Sequence, residues 1–314
     1  MTAAKQRTLK SPIHCSGVGL HSGAKVAMTL LPAESDTGIV FRRTDLAGAQ
    51  AQILATWQNA IETPLCTTLV DRRGIRISTI EHLMSAFHGC GIDNALVELN
   101  GSEVPIMDGS AAPFVFLFEC AGIAEQDAPR RIIRVLKPVI IRDSNRWASL
   151  VPSDTFSVRF TIDYDNPAVR HQEWSVEVNP TTYKREIARA RTFGFLNEVD
   201  ELRAKGFALG GSLDNAVVIS GEEIINDGGF RFANECVRHK VLDSVGDLYL
   251  AGAPLVGAFE GFRAGHALTL RLVHALFADQ SAWCWDDVGP PDLAAHGDTD
   301  GLSVPPPRAV AAQA

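Results

Sequence analysis

Cysteine pairs, excess positive charge and long apolar runs are all missing from this sequence. Its six cysteines are scattered along 314 residues without a Cys-x-x-Cys pair, which argues against a disulfide framework and a cysteine-rich structural zinc site. The net charge of −8 argues against general binding to nucleic acid or an anionic membrane surface. No apolar run approaches the roughly 18 residues of a membrane span, and residues 1–7 lack the apolar core of a secretory signal. We therefore expect a cytoplasmic protein with reduced thiols, no nucleic-acid partner and no integral membrane segment.

The length and composition are typical of a globular protein with about two domains of roughly 150 residues each. We predict an N-terminal domain over 1–126, a linker over 127–131 and a C-terminal domain over 132–285. Repeated proline and glycine after residue 285 predict a disordered tail over 286–314.

Hydrophobic periodicity predicts an α+β fold in which each half has strands followed by a histidine-bearing helix. In the first half, strands are predicted at 26–31, 38–42, 73–77 and 93–99, and helices at 79–88 and 110–120. In the second half, strands are predicted at 135–141, 148–151 and 157–162, and helices at 183–190, 234–250 and from 266 onward. The pattern favours two similar domains with a site at their junction, although the halves differ too much in sequence to be identified as a repeat.

Two short segments carry residues that suit a metal site. His239, Asp243 and Asp247 are spaced so that all three project from nearly one face of a helix. Far upstream, Glu81 directly precedes His82 on an otherwise apolar helix. Two histidines, an aspartate and a spare glutamate are the components of a zinc hydrolase with an open coordination position. A structural histidine and a surface ion pair are the alternatives for each segment alone.

The spare acid and a third histidine suggest acid–base chemistry. Glu81 and His82 point about 100° apart on a helix, so Glu81 cannot easily bind the same ion but can act as a general base. His266 follows a predicted strand and a glycine-rich turn, where Asp247 could hold it protonated. The alternative is an ordinary residue at a helix N-terminus.

Residues 17–23 (GVGLHSG) look like a dinucleotide-binding loop, but the glycine spacing is wrong and no acidic residue follows at the expected place. We predict a tight hairpin turn near the domain junction, with His21 as a candidate substrate contact. Cys66 is expected to be a small buried hydrophobe.

Seven blocks, in order, resemble one enzyme family, the bacterial UDP-3-O-acyl-N-acetylglucosamine deacetylases, which are zinc amidases of lipid A synthesis. The blocks are 17–23 (GVGLHSG), 78–83 (STIEHL), 104–110 (VPIMDGS), 190–195 (ARTFGF), 209–212 (LGGS), 237–247 (VRHKVLDSVGD) and 265–267 (GHA). The resemblance extends to about residue 285.

The resemblance implies two similar α+β domains, each a sheet packed against two helices, with the active site between them. It implies one Zn²⁺ per chain, held by His82, His239 and Asp243. Glu81 matches the general base, and His266, with Asp247 beside it, matches a group that protonates the leaving amine or stabilises charge. Thr192 matches a hydroxyl that binds the oxyanion, and Lys240 matches a substrate contact. Whether Glu81 acts alone or with His266 stays open.

The resemblance also implies how the substrate is bound. An insert at about 194–220 supplies an apolar channel for the acyl chain, although the run 216–219 taken alone predicts simple core. Tyr164 matches an aromatic ring that stacks on uracil, and Arg263 matches a phosphate contact. The channel residues are Leu196, Val199, Ala208, Ser212, Leu213, Ala216 and Val218, and further substrate-binding candidates are Gly211, Leu65, Cys66, Phe193 and His21. Some members have Phe where this chain has Leu213, so the preferred acyl length stays open.

The implied reaction is zinc-dependent hydrolysis of the N-acetyl amide of UDP-3-O-(3-hydroxyacyl)-N-acetylglucosamine. It releases acetate and the free 2-amine, and it is the committed step of lipid A biosynthesis. One alternative is a zinc amidase that acts on another acylated amino sugar. The other is a non-catalytic binding module stabilised by metal, against which three ligands beside a free Glu argue. We also expect a regulatory protease to act through the tail.

Overall fold

Two sheets, each accompanied by a pair of helices, form the frame of the protein. A computed structural model describes residues 4–46 and 51–286. The strands are β1 (Lys5–Leu9), β2 (Ile13–Val18), β3 (Lys25–Pro32), β4 (Ile39–Arg43), β5 (Ala51–Leu54), β6 (Ala60–Ile61), β7 (Thr68–Val70), β8 (Arg76–Ser78), β9 (Ala95–Leu99), β10 (Ile123–Pro129), β11 (Ile132–Val135), β12 (Val139–Asp143), β13 (Arg146–Val151), β14 (Phe156–Asp163), β15 (His171–Glu177), β16 (Phe193–Phe195), β17 (Val217–Ser220), β18 (Glu223–Ile224), β19 (Leu255–Phe262) and β20 (Trp283–Asp286). The α-helices are α1 (Glu81–Cys90), α2 (Ala112–Ala121), α3 (Pro180–Thr182), α4 (Leu196–Ala204), α5 (Glu235–Leu248) and α6 (His266–Ala278). The predicted α+β fold class is confirmed.

The first half is built on a five-stranded sheet in the order β2-β3-β9-β4-β5. Alternation along β3 buries Val26, Met28 and Leu30 on one face of this sheet. Helix α2 packs against β2, and it also contacts α1 through stacked rings of Phe87 and Phe118, whose centroids are 4.7 Å apart. The paired helices close the core on this face.

The second half is built on a seven-stranded sheet in which β19 is central. The order is β12-β13-β19-β11-β20, and β14 also pairs with β19 and carries β15 at its other edge. Helix α5 packs against β14 and β15, and α6 packs against β12 and β13. A smaller sheet, β16-β17-β18, and helix α4 lie within residues 193–224, a segment that includes the predicted insert at 194–220 and is hereafter called the insert.

The two halves meet where α1 crosses α5. A Cβ added at Gly246 of α5 would lie 2.0 Å from the carbonyl oxygen of Glu81 at the start of α1. Only glycine permits this approach without displacing backbone. The hydroxyl of Tyr183 also reaches across and donates to Ser85 Oγ of α1 at 3.0 Å.

In the first half, two elements begin later than predicted because turns precede them. The strand predicted at 73–77 begins only at Arg76, because Asp71 Oδ1 accepts the N–H groups of Arg73 and Ile75 and holds a turn there. Helix α1 begins at Glu81 rather than at 79, since Thr79 has a φ of 58° and donates its hydroxyl to Glu103. The predicted hairpin turn at 17–23 is present between β2 and β3.

The predicted linker, one predicted strand and one predicted helix of the second half also differ from the observed elements. Residues 127–129 of the predicted linker lie in β10, which pairs with β1. The strand predicted at 135–141 is two strands, since Pro138 cannot donate to a ladder and separates β11 from β12. The helix predicted at 183–190 is a π-helical turn at Tyr183–Ile187 that follows α3.

The end of the chain is only partly within the described residues. Asp286, predicted to begin the tail, is the last residue of β20, and the rest of the predicted tail, 287–314, lies outside the described residues. No helix among residues 4–46 and 51–286 is long and apolar enough to cross a membrane.

Gly246→Ala should destabilise the protein, because the added methyl group must push α5 away from the backbone of α1. Overpacking of this kind costs about 1–3 kcal/mol of unfolding free energy, measurable by urea denaturation. Gly101→Ala is the matched control, since its Cβ would meet only the Val26 side chain at 3.4 Å. An unfolding free energy equal to that of the wild type would show that the helices do not depend on this contact.

Candidate metal centre and active site

The three side chains predicted as metal ligands lie together at the crossing of α1 and α5. His82 comes from α1, and His239 and Asp243 come from successive turns of α5. Asp243 Oδ1 is 3.5 Å from His82 Nε2 and 3.3 Å from His239 Nε2. Each of the three residues is buried and offers one ligand atom, and these atoms all lie within 4.8 Å of one another.

The donor set fits a divalent cation. Asp243 Oδ1, the atom that faces Nε2 of both histidines, is buried without a hydrogen-bond partner among the described residues, although buried polar atoms are nearly always bonded. His239 Nδ1 lies 3.1 Å from the carbonyl of Ala190, an acceptor that leaves Nε2 free to bind a metal. Burial lowers the pKa of His239 to about 3, which keeps the imidazole neutral as metal binding requires.

Lys240 is bonded to the proposed ligand Asp243. Its Nζ donates to Asp243 Oδ2 at 2.8 Å, and it lies 5.9 Å from the ring centroid of Phe193. Burial opposes ionisation of Asp243, but the Lys240 ammonium beside it favours the carboxylate, and the pKa of Asp243 lies well below its usual range. Asp243 is therefore a carboxylate whose second oxygen is oriented by the lysine.

Glu81 is buried beside the cluster formed by His82, His239 and Asp243. Its Oε2 accepts the backbone N–H of Thr67 at 3.0 Å, and its Oε1 is 3.8 Å from His266 Nε2. Burial raises the pKa of Glu81 to about 7. A carboxyl group with this pKa can both accept and return a proton near neutral pH.

His266 and Asp247 form the pair that the sequence suggested. His266 Nδ1 is 2.8 Å from Asp247 Oδ2, and its Nε2 is 4.0 Å from Asp243 Oδ2. Burial opposes protonation of His266, but Asp247 and Glu81 outweigh it and raise its pKa to about 10. His266 begins α6, as predicted.

Thr67 is a member of this site that was not predicted from the sequence. Its hydroxyl donates to Asp247 Oδ1 at 2.5 Å, and its backbone contacts Glu81. Asp247 is 180 residues away in the chain, so no local pattern could have indicated the contact. The only signal was a pair of threonines, Thr67 and Thr68, in the segment that follows Cys66.

Thr192 directly precedes Phe193, whose ring lies beside His239. Its N–H donates to Gly109, and its carbonyl accepts the N–H of Val217, each at 2.8 Å. The ring centroid of Phe193 is 6.4 Å from that of His239. These backbone bonds fix the segment that carries the Thr192 hydroxyl.

Three aromatic rings form a wall beside Lys240. The ring centroid of Tyr164 is 5.7 Å from that of Phe193 and 5.5 Å from that of Phe195. Tyr164 and Phe193 were predicted as substrate contacts, whereas Phe195 was missed because it resembles an ordinary strand residue. Arg263 lies nearby, with its guanidinium 4.0 Å from Asp163 Oδ2.

The insert exposes apolar side chains and is joined to the hairpin turn of the first half. Leu196, Leu209 and Leu213 are 46%, 50% and 49% exposed, and Leu209 was not predicted. His21 accepts the N–H of Ala208 through Nδ1 at 3.4 Å, and its carbonyl accepts that of Leu209 at 3.2 Å. The turn and the insert thus form a continuous surface.

The remaining predicted contacts differ in exposure. Val217 and Ile219 are buried in the core, whereas the predicted channel residues Ala216 and Val218 are partly exposed. Buried and partly exposed side chains therefore alternate along residues 216–219. Leu65 is exposed and Cys66 is buried. The partly exposed residues also include Val199, Ala208 and Gly211, and Ser212 is exposed.

Comparison with known proteins identifies related sequences. The family model described as LpxC, UDP-3-O-acyl N-acetylglycosamine deacetylase, matches residues 6–278. A UDP-3-O-acyl-N-acetylglucosamine deacetylase of Acidithiobacillus ferrooxidans is 55% identical over 281 residues, which cover 89% of this chain and 92% of that protein. Proteins with the same name from Nitrosococcus oceani and Chromohalobacter salexigens are 52% and 51% identical, with the same coverage of both chains.

His82→Ala and Asp243→Ala should each weaken metal binding, because each removes one of three converging ligand atoms. The loss should exceed the roughly 10- to 100-fold that removal of an outer-shell partner costs. Metal analysis and chelator competition measure it, with His14→Ala on the exposed part of β2 as the control. Unchanged metal affinity in both variants would refute the ligand set.

Proposed function

Because this chain belongs to the family of UDP-3-O-acyl N-acetylglycosamine deacetylases, we propose that it hydrolyses the N-acetyl amide of UDP-3-O-(3-hydroxyacyl)-N-acetylglucosamine. The products are acetate and the free 2-amine, in the committed step of lipid A biosynthesis. The observation that supports this chemistry most directly is a buried His–His–Asp cluster with Glu81 and His266 beside it.

The metal in this proposal is one Zn²⁺ per chain, held by His82, His239 and Asp243. Two neutral imidazoles and a carboxylate are a typical donor set for catalytic zinc, which keeps a fourth position open. When bound, Zn²⁺ supplies Lewis-acid polarisation of the amide carbonyl and lowers the pKa of water.

Glu81 is the proposed general base. The Thr67 N–H holds its Oε2, so Oε1 faces the space shared with His266 Nε2. With a pKa of about 7, Glu81 can take a proton from the attacking water and still release it later in the same turnover.

His266 is the proposed cation of the site. Asp247 bonds Nδ1 and leaves Nε2 directed toward Glu81. A protonated imidazole there stabilises negative charge on the oxygen of the tetrahedral intermediate, and it can protonate the departing amine. The Thr192 hydroxyl is proposed as a second donor to that oxygen.

Substrate binding follows from the two surfaces beside the cluster. The exposed leucines of the insert suit an acyl chain, because apolar side chains clustered at a surface mark a binding region. The aromatic wall of Tyr164, Phe193 and Phe195 suits a uracil ring, and the cations Lys240 and Arg263 suit the diphosphate. His21, which contacts the insert, is a further proposed substrate contact.

The proposal also concerns the cellular compartment of the enzyme and its degradation. We place the enzyme in the cytoplasm, in keeping with six unpaired cysteines. Segment 287–314, outside the described residues, is proposed as a handle for a regulatory protease. An unchanged cellular half-life after its deletion would remove that idea.

Glu81→Ala and His266→Ala should each lower kcat by about 100- to 10,000-fold, the range for a lost acid–base group. Both variants should keep their metal, since neither residue is among the three converging ligands. Steady-state kinetics with metal analysis of the same samples tests this pair of expectations. Loss of metal from either variant would show that a ligand has been misassigned, and near-wild-type turnover would refute the acid–base roles.

A further inference from the structure

Thr67 contacts every member of the proposed acid–base machinery, although it is neither a metal ligand nor an ionisable group. Its backbone N–H donates to Glu81 Oε2 at 3.0 Å, and its hydroxyl donates to Asp247 Oδ1 at 2.5 Å. The same hydroxyl oxygen lies 3.2 Å from His266 Nδ1. One side chain and its own N–H therefore link the base, the histidine and the carboxylate that orients the histidine.

The hydrogen bonds leave Asp247 little freedom to rotate. Its Oδ2 accepts the Nδ1–H of His266 at 2.8 Å, while its Oδ1 accepts the hydroxyl of Thr67. A threonine hydroxyl has a single proton and a carboxylate has none, so the proton of this bond must come from Thr67. Rotation of the carboxylate would break one bond or the other, and the ring plane of His266 is fixed with it.

The contact also spans the junction between the two halves of the protein. Thr67 directly precedes β7 in the first half, whereas Asp247 and His266 belong to α5 and α6 in the second. Thr67 is 4% exposed and Asp247 is 3% exposed. A buried donor at this position cannot readily be replaced by solvent, so loss of the hydroxyl would leave Asp247 Oδ1 unbonded.

We propose that Thr67 is a positioning residue that fixes the Asp247–His266 pair relative to Glu81. This inference rests on the proposed deacetylase function. Thr67 acts through its neighbours and does not itself touch the reacting atoms. Misplaced acid–base groups slow the chemical step more than they weaken substrate binding, so the effect of its loss should appear in kcat rather than in KM.

Thr67→Val tests the proposal, because it replaces the hydroxyl with a methyl group and keeps the N–H that bonds Glu81. We expect kcat to fall about 10- to 100-fold, with KM within about twofold of the wild type and metal content unchanged. Thr67→Ser retains the hydroxyl and should recover most of kcat. Thr68→Val is the matched control, since this buried neighbour donates its hydroxyl to Ser78 Oγ instead.

A spectroscopic measurement separates positioning from a general structural role. The Nδ1 proton of His266 should give a downfield NMR signal, assigned by its disappearance in His266→Gln. Thr67→Val should shift this signal, and Thr68→Val should leave it in place. If the valine variant does not fold, Thr67→Ala, which only removes atoms, provides the same comparison.

Three results would overturn the proposal. They are a kcat of Thr67→Val within about twofold of the wild type, an equal loss in Thr67→Ser, and a lowered kcat with an unmoved His266 signal. Absence of amine release by the wild-type enzyme would instead refute the proposed function, so the two failures are distinguishable.

Discussion

The close crossing of α1 and α5 is the constraint on which the site depends. Gly246 permits α5 to lie against the backbone of Glu81. The same approach brings His82 of α1 to within 3.5 Å of Asp243, less than one turn before Gly246 on α5. The proposed metal ligands and the proposed base therefore depend on one contact between two helices. Helices hold such side chains more accurately than loops do.

The buried charges of the site are divided among separate partners. Asp243 faces His82, His239 and Lys240, whereas Asp247 faces His266 and Thr67. Buried carboxylates are tolerated only when they are paired and hydrogen-bonded. This division lets one helix face supply both a proposed metal ligand, Asp243, and a carboxylate hydrogen-bonded to a histidine, Asp247.

Local spacing in the sequence predicted the parts of the site that share one helix. His239 and Asp243 lie one turn apart, and Glu81 precedes His82, so periodicity alone indicated their faces. The contacts of Thr67 and Gly246 join distant segments, and no periodic pattern carries that information. Likewise, the α+β class was predictable from the alternation of apolar residues. The strand boundary at Arg76 was not, because a side chain of the preceding turn sets it.

We propose that the cluster of His82, His239 and Asp243 holds a metal on which amide hydrolysis depends. Amine release from the UDP-linked, acylated substrate, measured before and after treatment with a zinc chelator, tests it most directly. We expect turnover to be lost with the chelator and to return when Zn²⁺ is restored. Undiminished amine release from protein shown to be free of metal would contradict it.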